Sequence, residues 1–87
     1  MKTERPRVYK VIDGERDYQE AQIINNDWTN PKRIGEYLTV LRVLLTKAEQ
    51  DWYKESDVYS NNTLSQIRKI AATSVACMET HGAPERK

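Results

Sequence analysis

The chain has 87 residues, a net charge of +1 and 31% charged residues, which allows one domain and excludes a large enclosed core. Acids and bases alternate along it, so the basic stripe of a dedicated DNA-binding surface is missing. With one Cys and one His, neither a disulfide framework nor a zinc cage can be assembled.

The sequence predicts an all-α fold. A helical hairpin of antiparallel neighbours carries a third helix, and the unit assembles into a helical oligomer. Residues 1–7 read as a flexible basic arm, 8–82 as one helical domain and 83–87 as a tail. The polar start, Met1-Lys2-Thr3-Glu4-Arg5-Pro6-Arg7, has no apolar run behind it, which speaks against a signal peptide. No apolar run is long enough for a bilayer. A reducing cytoplasm is the expected location.

The first predicted helix covers residues 8–24. Val8, Val11 and Ile12 share a face, and Glu15 to Gln22 is rich in helix formers. Gly14 weakens it by about 1 kcal/mol relative to Ala. A strand over 8–12 turning at Asp13-Gly14 is the alternative. Pro6 between Arg5 and Arg7 disfavours helix in the arm.

Trp28 falls in the following linker. Asn30 and Pro31 form a helix start, a capping residue and then a proline at the first helical position. The second helix is predicted from 31 to about 55. Its apolar stripe is Ile34, Tyr37, Leu38, Leu41, Leu44, Leu45, Ala48 and Trp52, at i, i+3, i+4 spacing. Val40 and Val43 widen it beyond what one hairpin covers, so a second copy of the chain is expected on the excess.

A polar connection leads to the third helix, about 63–81, capped by Asn62 or Thr63. Leu64, Ile67, Ala71, Ser74, Val75 and Met78 form its apolar face. Small residues around Ala72 allow close helix approach. Gly82 is the expected stop, as a left-handed residue.

Candidate chemistry is sparse. Cys77 and His81 are spaced i, i+4 and could form an activated pair. A core thiol and a histidine that interacts favourably with the dipole at the helix C-terminus are the preferred reading, and no catalytic residue is expected. The acids are read as ordinary solvated charges that cannot assemble a two-helix carboxylate cage, so no metal and no cofactor is expected. The aromatics are five Tyr and two Trp with no Phe. Each has a polar handle, which suits pocket rims. Arg16, Lys32, Arg33, Arg42, Arg68 and Lys69 can serve phosphates.

One stretch carries a family resemblance. Val11-Ile12-Asp13-Gly14-Glu15-Arg16-Asp17-Tyr18-Gln19-Glu20, followed by Trp28, resembles the first helix of small phage-type, MazG-like all-α nucleotide pyrophosphohydrolases. These often begin with Glu-Arg-x-x-Gln and a Trp. The run Gln66-Ile67-Arg68-Lys69-Ile70-Ala71-Ala72-Thr73-Ser74-Val75-Ala76-Cys77-Met78-Glu79 is similar to their last helix. The likeness covers about half the chain. The family holds magnesium through paired acids on two helices. Here Ile34-Gly35-Glu36-Tyr37-Leu38-Thr39-Val40-Leu41 has one acid, and Gln66, Lys69 and Ala72 stand where acids would be wanted.

The resemblance therefore implies a degenerate, non-catalytic relative. The expected function is an oligomeric protein that binds a nucleotide or nucleotide-derived signal, in the manner of phage proteins that sequester a host defence signal. The cleft would lie between the first and third helices. Arg16 and Arg68, on the polar sides of their helices, would supply charge, and Tyr18 or Trp28 a stacking face. Lys32 and Arg33 are the next candidates. The alternatives are a protein-interaction module that inhibits a host protein and a metal-dependent nucleotide pyrophosphohydrolase.

Overall fold

The computed structural model describes residues 2–25, 32–55 and 60–86. Among them are three helices and no strands: α1 (Arg5–Asn25), α2 (Ile34–Lys54) and α3 (Asn61–His81). Trp28, Asn30 and Pro31 lie outside the described residues, but α2 begins at Ile34 with Arg33 in the N-cap position, three residues after the predicted start at 31.

Helix α1 starts three residues before the predicted boundary. The Glu4 carbonyl accepts from the Arg7 and Val8 amides at 3.1 and 3.2 Å. Pro6 lies in this first turn, where its missing N–H would have had no partner. Pro6 therefore does not disfavour helix here, contrary to the expectation from sequence. The helix passes through Gly14 unbroken, so the strand alternative does not form.

Helix α3 is the centre of the molecule. Helix α2 packs along it antiparallel, as the hairpin reading expects, and α1 packs on it from another side. Among the described residues, α1 and α2 do not approach each other. The α2–α3 register follows from polar ties at both ends. The His81 Nε2 lies 2.8 Å from the Lys32 carbonyl oxygen, which accepts from it. The His81 ring meets Tyr37 edge-on at 6.1 Å. At the far end, Gln66 Nε2 donates to Asp51 at 3.3 Å.

Glu55 closes the hairpin and caps α3. Its carboxylate accepts from the Asn62 amide at 3.1 Å, the Thr63 amide at 2.9 Å and the Thr63 hydroxyl at 2.8 Å. Partial desolvation raises its pKa, but these three donors outweigh it and hold the carboxyl below its ordinary range. The cap is thus an acid from the preceding helix end, and Asn62 and Thr63, the expected caps, are the residues being capped. The helix ends at Gly82, as predicted, with its amide donating to the Met78 carbonyl at 2.8 Å. Its φ is 112° and its ψ 155°, an extended mirror conformation open essentially to glycine alone rather than the left-handed helical one.

The interior is thin. Among the described residues, the buried apolar ones are Ala48 and Ala72. The radius of gyration is 14.3 Å, against about 12 Å for a compact domain of this length. Helix α2 turns Tyr37, Val40, Leu44 and Ala48 toward α3 or the space beside it and leaves Ile34, Leu38, Leu45 and Trp52 about half exposed. Val40 therefore does not widen an outer stripe. It is half-buried beside α3, while Val43 is exposed on the other flank. The excess apolar face is the one through Leu38 and Leu45.

Candidate functional site

Helix α1 has little amphipathic character, and polar bonds fix its centre on α3. Arg68, Ala72 and Glu79 recur at i, i+4 and i+11, so they lie along one line of α3. Ala72 is fully buried, and its methyl lets α1 come close. On either side of it the helices are pinned by charge. Arg16 Nε donates to Glu79 Oε1 at 2.8 Å, and its Nη2 donates to Glu20 and to Glu79 Oε2. Its Nη1 donates to Gln19 Oε1 at 3.4 Å, and Gln19 Nε2 donates to the Thr73 hydroxyl at 3.3 Å. One turn earlier, Arg68 Nε donates to Glu15 Oε1 at 2.7 Å, and Glu15 is itself 9% exposed.

These contacts correct two expectations. Arg16 is 7% exposed, so it stands on the side of α1 that meets α3, not on a polar outer side. Glu15, Glu20 and Glu79 are partners of arginines across or along helices; Glu15 is largely out of water, while Glu20 and Glu79 stay about half in solvent. The hydrogen bond from Arg16 holds the Glu79 carboxyl below its ordinary range, against a smaller desolvation effect. The same bond raises the Arg16 pKa further despite burial. A guanidinium already shared by two carboxylates has little charge left for a phosphate.

Because α1 and α2 flank α3 without meeting, a cleft opens between them. Its volume is about 220 Å³. Helix α1 supplies Arg16, Tyr18, Gln19 and Ile23, α2 supplies Tyr37 and Val40, and Thr73 and Ala76 of α3 form the floor. Lys32 stands at the rim with its Nζ 5.8 Å from the centre of the Tyr37 ring, within cation–π range. Tyr18 is 61% exposed, so its ring presents a face to solvent at the mouth.

The site residues expected from sequence are divided by the fold. Arg16, Tyr18 and Lys32 line this cleft. Arg68 instead borders a separate apolar groove with Val8, Val11, Leu64 and Ile67. Arg33 is the N-cap residue of α2, 90% exposed and 3.7 Å from Glu36. Trp28 lies outside the described residues. Tyr37, which the sequence places both on the apolar stripe of α2 and among the aromatics suited to a pocket rim, lines the cleft, as do Gln19 and Thr73. The Arg16–Gln19 spacing of i, i+3 was the signal that Gln19 shares the face. For Thr73 no local signal exists, since only the placing of α1 and α2 on α3 makes it part of the site.

No protein-family model matches the chain, no curated protein matches it and no solved structure matches it. Cys77 is half-buried, and its i+4 neighbour His81 is engaged by Lys32 and Tyr37. Among the described residues, no three of His, Cys, Asp and Glu gather around one point.

Proposed function

We propose that the protein is a non-catalytic, self-associating helical protein that binds a nucleotide or nucleotide-derived ligand in the α1–α2 cleft. The observation that carries the reading is the cleft's composition: two tyrosine rings and a lysine around an apolar slot, with the Gln19 amide on its wall. Flat aromatic ligands stack on such rings, and an ammonium at the rim meets a phosphate left outside. A volume near 220 Å³ suits a base and sugar and is below the usual range of about 300–1,000 Å³ for larger ligands. The ligand is therefore of mononucleotide or cyclic-nucleotide size. Arg16 supports the wall, and Lys32 supplies the charge.

The test is a thermal-shift and calorimetric screen against nucleosides and mono-, di- and cyclic nucleotides, with and without magnesium. A ligand that binds only the native state adds about 2.7 kcal/mol at a hundred times its dissociation constant. Lys32→Ala and Tyr18→Ala should weaken binding by about tenfold each, with magnesium making no difference. The absence of any shift across the set would sink the ligand. Magnesium-dependent pyrophosphate release, abolished by Glu36→Gln, would replace it with the hydrolase alternative.

The interaction-module reading, in which the protein docks on and inhibits a host protein, is favoured by a separate observation, the half-exposed Ile34, Leu38, Leu45 and Trp52 on α2.

A further inference from the structure

The large apolar side chains left in water are not scattered. Leu38, Leu45 and Trp52 recur every seven residues on α2, and Ile34 precedes them by four. At 3.6 residues per turn they fall within roughly 40° of one line. Their exposures run from 47% to 59%. The line continues onto α3, where Leu64, Ile67 and Met78 are 58%, 48% and 44% exposed. The groove that Leu64 and Ile67 share with Val8 and Val11 extends it to α1. On α3 these residues lie roughly 120–180° around the helix from Thr73 and Ala76, so the apolar face is on the side of the molecule away from the cleft. Its nine side chains leave on the order of 800 Å² of apolar surface in water. That is the area each partner contributes to a standard interface, about 800 Å², and more than the few hundred Å² a monomer ordinarily exposes.

The charges beside the stripe point to what covers it. Arg42 and Glu49 are both exposed. They lie seven residues apart on one flank of the line through Leu38, Leu45 and Trp52. Antiparallel pairing of two copies of α2 turns that flank of one against the same flank of the other. An axis beside Leu45 then sets Arg42 opposite Glu49 of the partner subunit, twice by symmetry. The surface is self-complementary, which is what a two-fold interface requires.

We infer that a second copy of the chain covers this face, with α2 packed antiparallel on the partner's α2 about a two-fold axis beside Leu45. The inference rests on the self-association proposed above and specifies its surface. Trp52 then packs against Leu38 of the partner subunit. The core missing from one chain is completed between two.

Sedimentation equilibrium tests this on the full chain, with circular dichroism as a check on folding. Wild type should sediment as an even multiple of 10.2 kDa. Leu45→Lys should weaken association by at least about a hundredfold. Arg42→Glu and Glu49→Arg should each weaken it by roughly tenfold, since each creates two like-charge pairs. The double reversal should recover to within about threefold of wild type. A monomeric wild type would overturn both the seam and the oligomeric reading. If wild type associates while folded Leu45→Lys and both single reversals associate equally well, the seam alone is overturned. A double reversal no tighter than the singles overturns it too. If Leu45→Lys does not fold, the reversal cycle on the two exposed residues decides alone.

Discussion

Replacing Arg16 with Met separates a structural from a ligand-binding arginine. Read from sequence, Arg16 is an exposed charge whose loss leaves stability nearly unchanged. In the structure its side chain is 8% exposed and bridges Glu79 of α3 and Glu20 of α1. Met retains most of the buried stem, so the substitution isolates the charge. A hydrogen bond to a charged group contributes about 1.5–3 kcal/mol, and breaking a fully buried pair costs about 3–5. Both carboxylate partners are more than half exposed, so they regain water when the guanidinium leaves. The cost then falls to about 2–3 kcal/mol, because surface screening discounts the ion-pair part.

For a chain of this length, each kcal/mol moves Tm by about 4–8 °C. Arg16→Met should therefore melt roughly 10–20 °C below wild type at matched protein concentration, which must be held fixed for an associating protein. Lys32→Ala, on an exposed rim residue, should shift stability by no more than about 0.5 kcal/mol. The structural assignment of Arg16 fails if Arg16→Met melts within about 3 °C of wild type. It also fails if Glu79→Gln and Arg16→Met prove additive in the double variant, since partners in one network must couple.

Glu79 gives acid sensitivity of a defined sign. Its folded-state pKa is depressed by Arg16, so its contribution is fully present above the unfolded value near pH 4.3. That contribution is lost as pH falls through the lower folded value, and Glu79→Gln should flatten the stability profile in that window. Gly82→Ala should cost about 1–3 kcal/mol from backbone strain alone, because φ is 112° and a Cβ there meets nothing within 4 Å; an unchanged urea midpoint would refute it. Gly14→Ala should stabilise by about 1 kcal/mol, since the helix is continuous and the added methyl meets open space; a lower midpoint would show a constraint the packing does not explain. Glu55→Ala should speed amide exchange at Asn62 and Thr63 more than elsewhere in α3, and uniform protection along the helix would count against the cap.

The helices and the hairpin were legible because their signals are local. The i, i+3, i+4 pattern of α2, the run of small residues in α3 and Gly82 each act within a turn or two. What escaped depends on contacts between distant residues. Arg16 and Glu79 are 63 residues apart, and nothing near either marks it as half of a buried pair. On sequence alone, an arginine among acids reads as a solvated face. The stripe of α2 was legible as too wide, but not which part of it was surplus. That depended on where α3 lies. Once α3 takes Tyr37, Leu44 and Ala48, the surplus falls on Leu38 and Leu45, and Val40 goes to the cleft.

The cleft and the apolar face have one cause. Among the described residues, a central helix flanked by two others that do not touch buries two alanines and leaves both of its remaining sides open. One side is lined by rings, an amide and a lysine, and the other by aliphatic side chains and a self-complementary charge pair. The proposed association on the second side would add core to α2 and α3 and cover Val8 and Val11 of α1, while the centre of α1 stays held by the Arg16 and Arg68 bonds. A ligand in the cleft would touch α1 through Tyr18 and Gln19 and α2 through Tyr37, joining two helices that otherwise meet only by way of α3. Binding should therefore protect α1 amides from exchange more than those of α3. Uniform protection of all three helices would mean instead that α1 is already as firmly held as the hairpin, and that its polar docking is stronger than the half-exposed carboxylates imply.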